Sequence, residues 1–222
     1  MNSACYLEFS PPSSSKLVID KQEIDLEPLS QGSATMDVER TIDLGDGNSL
    51  VLGRYTGPVT YDSLAQSIPF QESVSRLFGK EHKTGRLVAT MGAAYGYNGH
   101  VAAEPTPIPP PVHSIMSTLS LPLNTPFNCC VANCYPNGSV GLGAHDDGEK
   151  ETSHIATVSF GAERKCVYTK KDKTESYTVL LKDRSIAVMC GPTFQLLWKH
   201  AIPKMKGESP RISLTYRVYS SS

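Results

Sequence analysis

Residues 127–135 read FNCCVANCY, a run without Gly that is closed at both ends by proline, and its apolar and polar residues fit an extended strand. Seven more short runs follow it: SVGLGAH (139–145), IATVSFG (155–161), KCVYTKK (165–171), SYTVLL (176–181), SIAVMC (185–190), FQLLWKHAI (194–202) and RISLTYRVY (211–219). Turn residues separate them and no long helical pattern intervenes. That spacing predicts a mainly β chain with flanking helices (α+β), built as an antiparallel sandwich or jelly roll. No internal repeat is evident, which argues against a propeller or a solenoid.

Upstream the pattern is mixed. SLVLGRYTG from Ser49 has strand character, and TYDSLAQSIPFQESVSRLFG after it spaces its apolar residues as a helix does, interrupted at Pro69. GRLVATMGAAYGYNG (85–99) reads as a strand that breaks into a Gly- and Tyr-rich turn. EPTPIPPP (104–111) is a stiff connection, and PVHSIMSTLSL opens with proline where a helix tolerates it. Residues 1–45, rich in Ser, Pro, Asp and Glu, are expected to be a weakly structured extension, leaving residues 46–222 as one domain with its strand-rich core over about 127–218.

Lys and Arg total 21 against 22 acids, a formal net charge of -1, so any polynucleotide would be held by a local patch rather than a global field. No run approaches the roughly 20 apolar residues of a membrane span, and no basic stretch followed by an apolar core opens the chain. The expectation is a monomer without membrane contact, intracellular in the cytoplasm or nucleus. Of the six cysteines, Cys129, Cys130, Cys166 and Cys190 sit in strand-like stretches, as buried reduced thiols do.

His145 and Asp147 in GAHDDGE are two residues apart, so an extended backbone sends both side chains to one face. His200 can join them only if a later strand returns alongside. Two imidazoles and a carboxylate are the facial ligand set of non-haem Fe(II) oxygenases, although zinc accepts the same donors. In RISLTYR, Arg211, Ser213, Thr215 and Arg217 share one strand face, and two arginines six residues apart suit a small dicarboxylate held at both ends.

Taken in order, GRLVATMGAAYGYNG, FNCCVANCYPNGSVGLGAHDDGE, TVSFGAERKCVY, SIAVMCG, WKHAIP and PRISLTYR resemble the AlkB family of Fe(II)/2-oxoglutarate dioxygenases over residues 86–218. The resemblance implies a double-stranded β-helix (jelly roll), with Fe(II), 2-oxoglutarate and O2 as cofactors and His145, Asp147 and His200 as the iron ligands. It implies that Arg211 grips the distal carboxylate of 2-oxoglutarate with help from Asn133 and Tyr135, and that Arg217 lies near the metal-binding end. Ser213 stands where the family often has Asn, a departure that touches the fine geometry of cosubstrate binding. The reaction implied is oxidative demethylation of N-alkylated bases such as 1-methyladenine or 3-methylcytosine, releasing formaldehyde.

The implied partner is therefore methylated nucleic acid, RNA or DNA, with single strands favoured. Tyr95 and Tyr97 fall where the family's nucleotide-recognition lid begins, within about 86–105, and Glu149 resembles the acid that reads a base's exocyclic amine. The cationic runs at Lys80, His82, Lys83 and Arg86 and at Arg164, Lys165, Lys170, Lys171 and Lys173 read first as solvated faces and second as a phosphate-binding rim. His154, His113 and Trp198 are expected to be structural or packing residues. The alternative reading is a hydroxylase or demethylase of a small molecule or protein side chain on the same scaffold.

Overall fold

A computed structural model describes residues 34–77, 80–93, 96–97, 100–101, 106–148, 154–207 and 209–219. All eight runs from Phe127 onward contain strands: β7 (Cys129–Tyr135), β8 (Leu142–His145), β9 (His154–Gly161), β10 (Arg164–Lys170), β11 (Ser176–Leu181), β12 (Ser185–Cys190), β13 (Trp198–Ile202) and β14 (Arg211–Arg217). They are preceded by β1 (Met36–Gly45), β2 (Asn48–Tyr55), α1 (Tyr61–Ser67), β3 (Gln71–Leu77), β4 (Lys80–Gly92), β5 (Gly96–Tyr97), β6 (His100–Val101) and α2 (Pro110–Ser120). A four-residue helix, α3 (Phe194–Leu197), leads directly into β13.

Two sheets carry the fold. The larger has eight strands in the order β1-β2-β12-β9-β14-β7-β4-β3 and the smaller has four, β11-β10-β13-β8. Every pairing between named strands is antiparallel, and the result is the jelly roll. Residues 33–222 form one compact unit.

The two-residue alternation of the central strands sorts their side chains between two cores. On β14, Ile212, Leu214 and Tyr216 pack with Leu64 of α1 and Val112, Ile115 and Leu119 of α2, outside the large sheet. Arg211, Ser213, Thr215 and Arg217 point the other way, into the space between the sheets. Leu50, Ile155 and Met189 from the large sheet meet Cys166, Tyr168, Trp198 and Ile202 from the small one to close that space. Burying a large apolar side chain stabilises by about 1.5–3 kcal/mol, so the helix-side face of β14 fixes the register by apolar packing and leaves the polar strip facing the cavity.

The helices follow local signals. Thr60 and Ser63 form a reciprocal capping box at the start of α1, and Pro110 and Pro111 occupy the first turn of α2. The helical spacing of residues 61–77 does not persist: Pro69 ends the pattern, and Gln71–Leu77 instead pairs with β4 as an edge strand. The expected extension over residues 1–45 is too long, because Met36–Gly45 is a strand paired with β2. Most of its side chains are exposed, and an edge strand with a charged outer face reads as polar sequence. Residues 1–33 lie outside the described residues.

Among the described residues Cys129, Cys130, Cys134, Cys166 and Cys190 are in no disulfide, and all but Cys190 are buried. Trp198 is buried against Phe194 and Tyr177. His113, expected to pack, faces outward from α2. No helix among the described residues is long and apolar enough to cross a membrane.

Candidate active site

Strand pairing brings the two distant histidines together. His145 closes β8 and lies directly opposite His200 on β13, with ring centroids 4.3 Å apart. Asp147, two residues beyond, is 7% exposed and sits between them, its carboxylate oxygens 3.8 Å from His145 Nε2 and 4.0 Å from His200 Nε2. One potential ligand atom from each of the three lies within 4.8 Å of the others, the single such cluster among the described residues.

The surroundings keep these donors in the form a metal needs. Burial pushes the His200 imidazole down to about 4, so at neutral pH its lone pair is free. Burial alone would raise the Asp147 carboxyl, but the Arg217 guanidinium 3.5 Å away, with His200 and His145, holds it below its ordinary value. His145 Nδ1 is 2.8 Å from the Gly143 carbonyl, which can only accept, so Nδ1 carries the proton and Nε2 faces the cluster.

All eight residues expected to hold metal or cosubstrate line one cavity of about 380 Å³: His145, Asp147 and His200 at the cluster, and Asn133, Tyr135, Arg211, Ser213 and Arg217 along β7 and β14. Arg211 is 1% exposed and donates from Nη2 to Ser159 Oγ at 2.9 Å, while its Nε and Nη1 are buried without a hydrogen-bond partner. Its guanidinium carbon lies 5.3 Å from the centre of the Tyr135 ring. Two orphaned donors on a buried cation call for an anion, since an unsatisfied buried polar group costs about 1–3 kcal/mol. The cavity thus has two imidazoles and a carboxylate, a donor set for a borderline divalent metal, and a buried guanidinium with open donors, and together they fit Fe(II) with 2-oxoglutarate.

Tyr95 and Glu149 lie outside the described residues, and of Tyr97 only the backbone, in β5, is described.

Several functional contacts carry no sequence signal of their own. Gln195 of α3 accepts the Asp147 backbone N–H at 2.8 Å. Lys171 pairs with Asp146 at 2.8 Å and donates to the Gln195 carbonyl at 2.9 Å, so it braces the Asp147 loop rather than standing free as part of a phosphate rim. Arg86 also turns inward, lining the cavity and donating to Asn133 Oδ1 at 2.6 Å. Arg164, grouped by sequence with Lys170, Lys171 and Lys173, is 2% exposed and lies at the end of β10 away from them. His154 contacts Thr125 through Nδ1, away from the cluster.

Comparison with known proteins agrees with this geometry. The sequence model of the 2OG-Fe(II) oxygenase superfamily matches residues 61–217. The chain is 33% identical over 157 residues to the DNA oxidative demethylase ALKBH2 of Bos taurus, covering 64% of this chain and 56% of that protein. It is 31% identical over 230 residues to the Arabidopsis thaliana protein of the same name, covering 85% of this chain and 72% of that one. The solved structure of OsALKBH1 superposes with a TM-score of 0.53 at 15% identity, covering 81% of this chain and all of that one, a likeness of fold. With the superfamily match spanning most of the domain and the two-His, one-Asp cluster assembled inside it, the chain belongs to the 2OG-Fe(II) oxygenases, in their AlkB-like branch, with Fe(II), 2-oxoglutarate and O2 as its cofactors.

Proposed function

We propose that this chain catalyses oxidative demethylation of N-alkylated bases in nucleic acid, of the 1-methyladenine and 3-methylcytosine type, with single strands preferred. The observation that carries the reading is the shared cavity: the His145, Asp147 and His200 cluster and the partnerless donors of Arg211 open onto one space. The nucleic-acid part is supported by relatives named as DNA oxidative demethylases.

In this reading His145, Asp147 and His200 hold iron, and Arg211 receives the distal carboxylate of 2-oxoglutarate, with Asn133, Tyr135 and Ser213 along the same wall. Arg217 offsets the Asp147 charge at the metal-binding end. When bound at these residues, iron with 2-oxoglutarate and O2 would supply an oxidant able to hydroxylate a methyl group, with the cosubstrate converted to succinate and CO2. The chain's own part is to orient and to exclude water. Val88, Val131, Leu142 and Met189 wall the cavity with apolar surface, which protects a reactive centre from solvent. The hydroxylated N-methyl group then separates as formaldehyde, with loss of a proton, and leaves the unmodified base. Tyr95 and Tyr97 are assigned to stacking the extruded base and Glu149 to its exocyclic amine. Work on nucleic acid would place the protein in the cytoplasm or nucleus.

The single-strand preference follows from energetics. A duplex base must be unpaired at a cost of a few kcal/mol, and a chain of net charge -1 has little global attraction for a duplex to offset it. Formaldehyde release from one methylated oligonucleotide, single-stranded and annealed, tests this: the single strand should react faster, and Glu149→Ala should slow it while leaving substrate-free succinate formation nearly unchanged. A duplex that reacts as fast would remove the strand preference. Inactivity on every methylated oligonucleotide, with 2-oxoglutarate still consumed, would favour a small-molecule or protein-side-chain substrate.

A further inference from the structure

Arg164 opens β10, and the two-residue period puts it on the same side as Cys166 and Tyr168, both of which line the cavity. A charged residue at an inward position of a core strand is costly unless fully satisfied. Here backbone carbonyls satisfy its two terminal nitrogens: Nη2 donates to Val140 at 2.8 Å and to Pro203 at 2.9 Å, and Nη1 to Asn137 at 3.3 Å, while Nε is buried without a hydrogen-bond partner. These carbonyls belong to the turn after β7 and to the segment leaving β13, three residues past His200. Arg164 does not itself reach the cavity.

What it reaches is Tyr135. The Arg164 guanidinium carbon lies 5.3 Å from the Tyr135 ring centre, the same distance as that of Arg211, so one buried ring carries two buried guanidinium groups within cation–π range. Tyr135 is the register partner of Arg211 across β7 and β14. Holding the ring fixes the surface on which Arg211 rests. The second cation also adds positive potential behind the two donors that Arg211 leaves without partners.

We propose that Arg164 is a positioning residue for the distal carboxylate of the cosubstrate, acting through Tyr135 and Arg211; the inference rests on the reading that Arg211 receives that carboxylate. Arg164 thereby helps set the preference for a dicarboxylic over a monocarboxylic 2-oxo acid. It has no role at the metal.

Calorimetric titration of the Mn(II)-loaded protein tests this, with two ligands: 2-oxoglutarate, and 2-oxobutyrate, which keeps the 2-oxo acid head but lacks the distal carboxylate. Arg164→Met should raise the Kd of 2-oxoglutarate about tenfold by removing charge and fork together, and leave the Kd of 2-oxobutyrate and the Mn(II) affinity unchanged. Arg164→Lys, which keeps the charge without the planar fork, should fall between wild type and Arg164→Met, and it carries the same test if the methionine variant does not fold. An unchanged 2-oxoglutarate Kd overturns the proposal. So does an equal loss for both acids, the mark of general loosening. Arg211→Lys is the control for the underlying reading: if it loses 2-oxoglutarate affinity by about tenfold while the Arg164 variants do not, only the Arg164 inference falls. If Arg211→Lys also binds normally, the reading beneath it falls as well.

Discussion

Asp147 is the residue on which the site turns. It lies between two imidazoles, takes the Arg217 guanidinium on one oxygen and is held through its backbone N–H by Gln195. Asp147→Ala removes a metal donor but little core volume, so turnover should fall below detection while the far-ultraviolet circular dichroism is retained. Arg217 then loses a buried partner, and a cost of about 1–3 kcal/mol should show as a lowered Tm. Wild-type turnover in that variant would reject the triad. His200 gives a separate signature in the metal-free protein. Its folded value of about 4 is below the ordinary 6.5, so between those limits the unfolded chain binds more protons and stability falls as the pH falls. The loss from this group is at most about 3 kcal/mol. In chelator, Tm should drop between pH 6.5 and 4, and His200→Asn should flatten the drop; an equal slope in that variant would assign it to other groups.

At the scale of elements, the site is two strand ends, one strand face and a short helix. β14 was readable because its alternation separates Ile212, Leu214 and Tyr216 from four polar residues, and the first set packs in the helix-side core while the second lines the cavity. α2 was readable because its prolines fall in the first turn. β3 was misread because SVSRL is compatible with either period and only pairing with β4 decides it. β1 was missed because a charged edge strand lacks the apolar alternation of a central one. Gln195 and Arg164 carry no local sign of their roles, since each acts through a contact more than 20 residues away along the chain. The Gln195 contact has a consequence that can be measured. α3 offers one side-chain carbonyl to the loop that carries Asp147, and Lys171 ties the same helix to Asp146. Gln195→Leu leaves the Asp147 N–H without that acceptor, and metal affinity should weaken about ten- to a hundredfold, as for other outer supports of a ligand. Mn(II) titration followed by electron paramagnetic resonance would show it. Unchanged affinity would mean that the strand pairing alone orients Asp147.

For the whole molecule, the jelly roll places an outer apolar core beneath α1 and α2 on one side of the large sheet and a polar-lined cavity on the other. The stability of the scaffold and the chemistry of the cavity are therefore carried by opposite faces of the same strands. Substitutions such as Leu119→Ala in the helix-side core should lower Tm, at a cost of about 2–5 kcal/mol, while leaving KM for 2-oxoglutarate unchanged. A rise in KM of the same variant would mean that the two faces are coupled. The central claim is that this cavity couples 2-oxoglutarate decarboxylation to removal of a methyl group from a base. The most direct measurement counts formaldehyde and succinate together, during turnover of the Fe(II)-loaded protein on a single-stranded oligonucleotide carrying 1-methyladenine. The account predicts equal amounts of the two products once substrate-free succinate formation is subtracted, both lost in Asp147→Ala; succinate without formaldehyde, at a rate the oligonucleotide does not change, would contradict it.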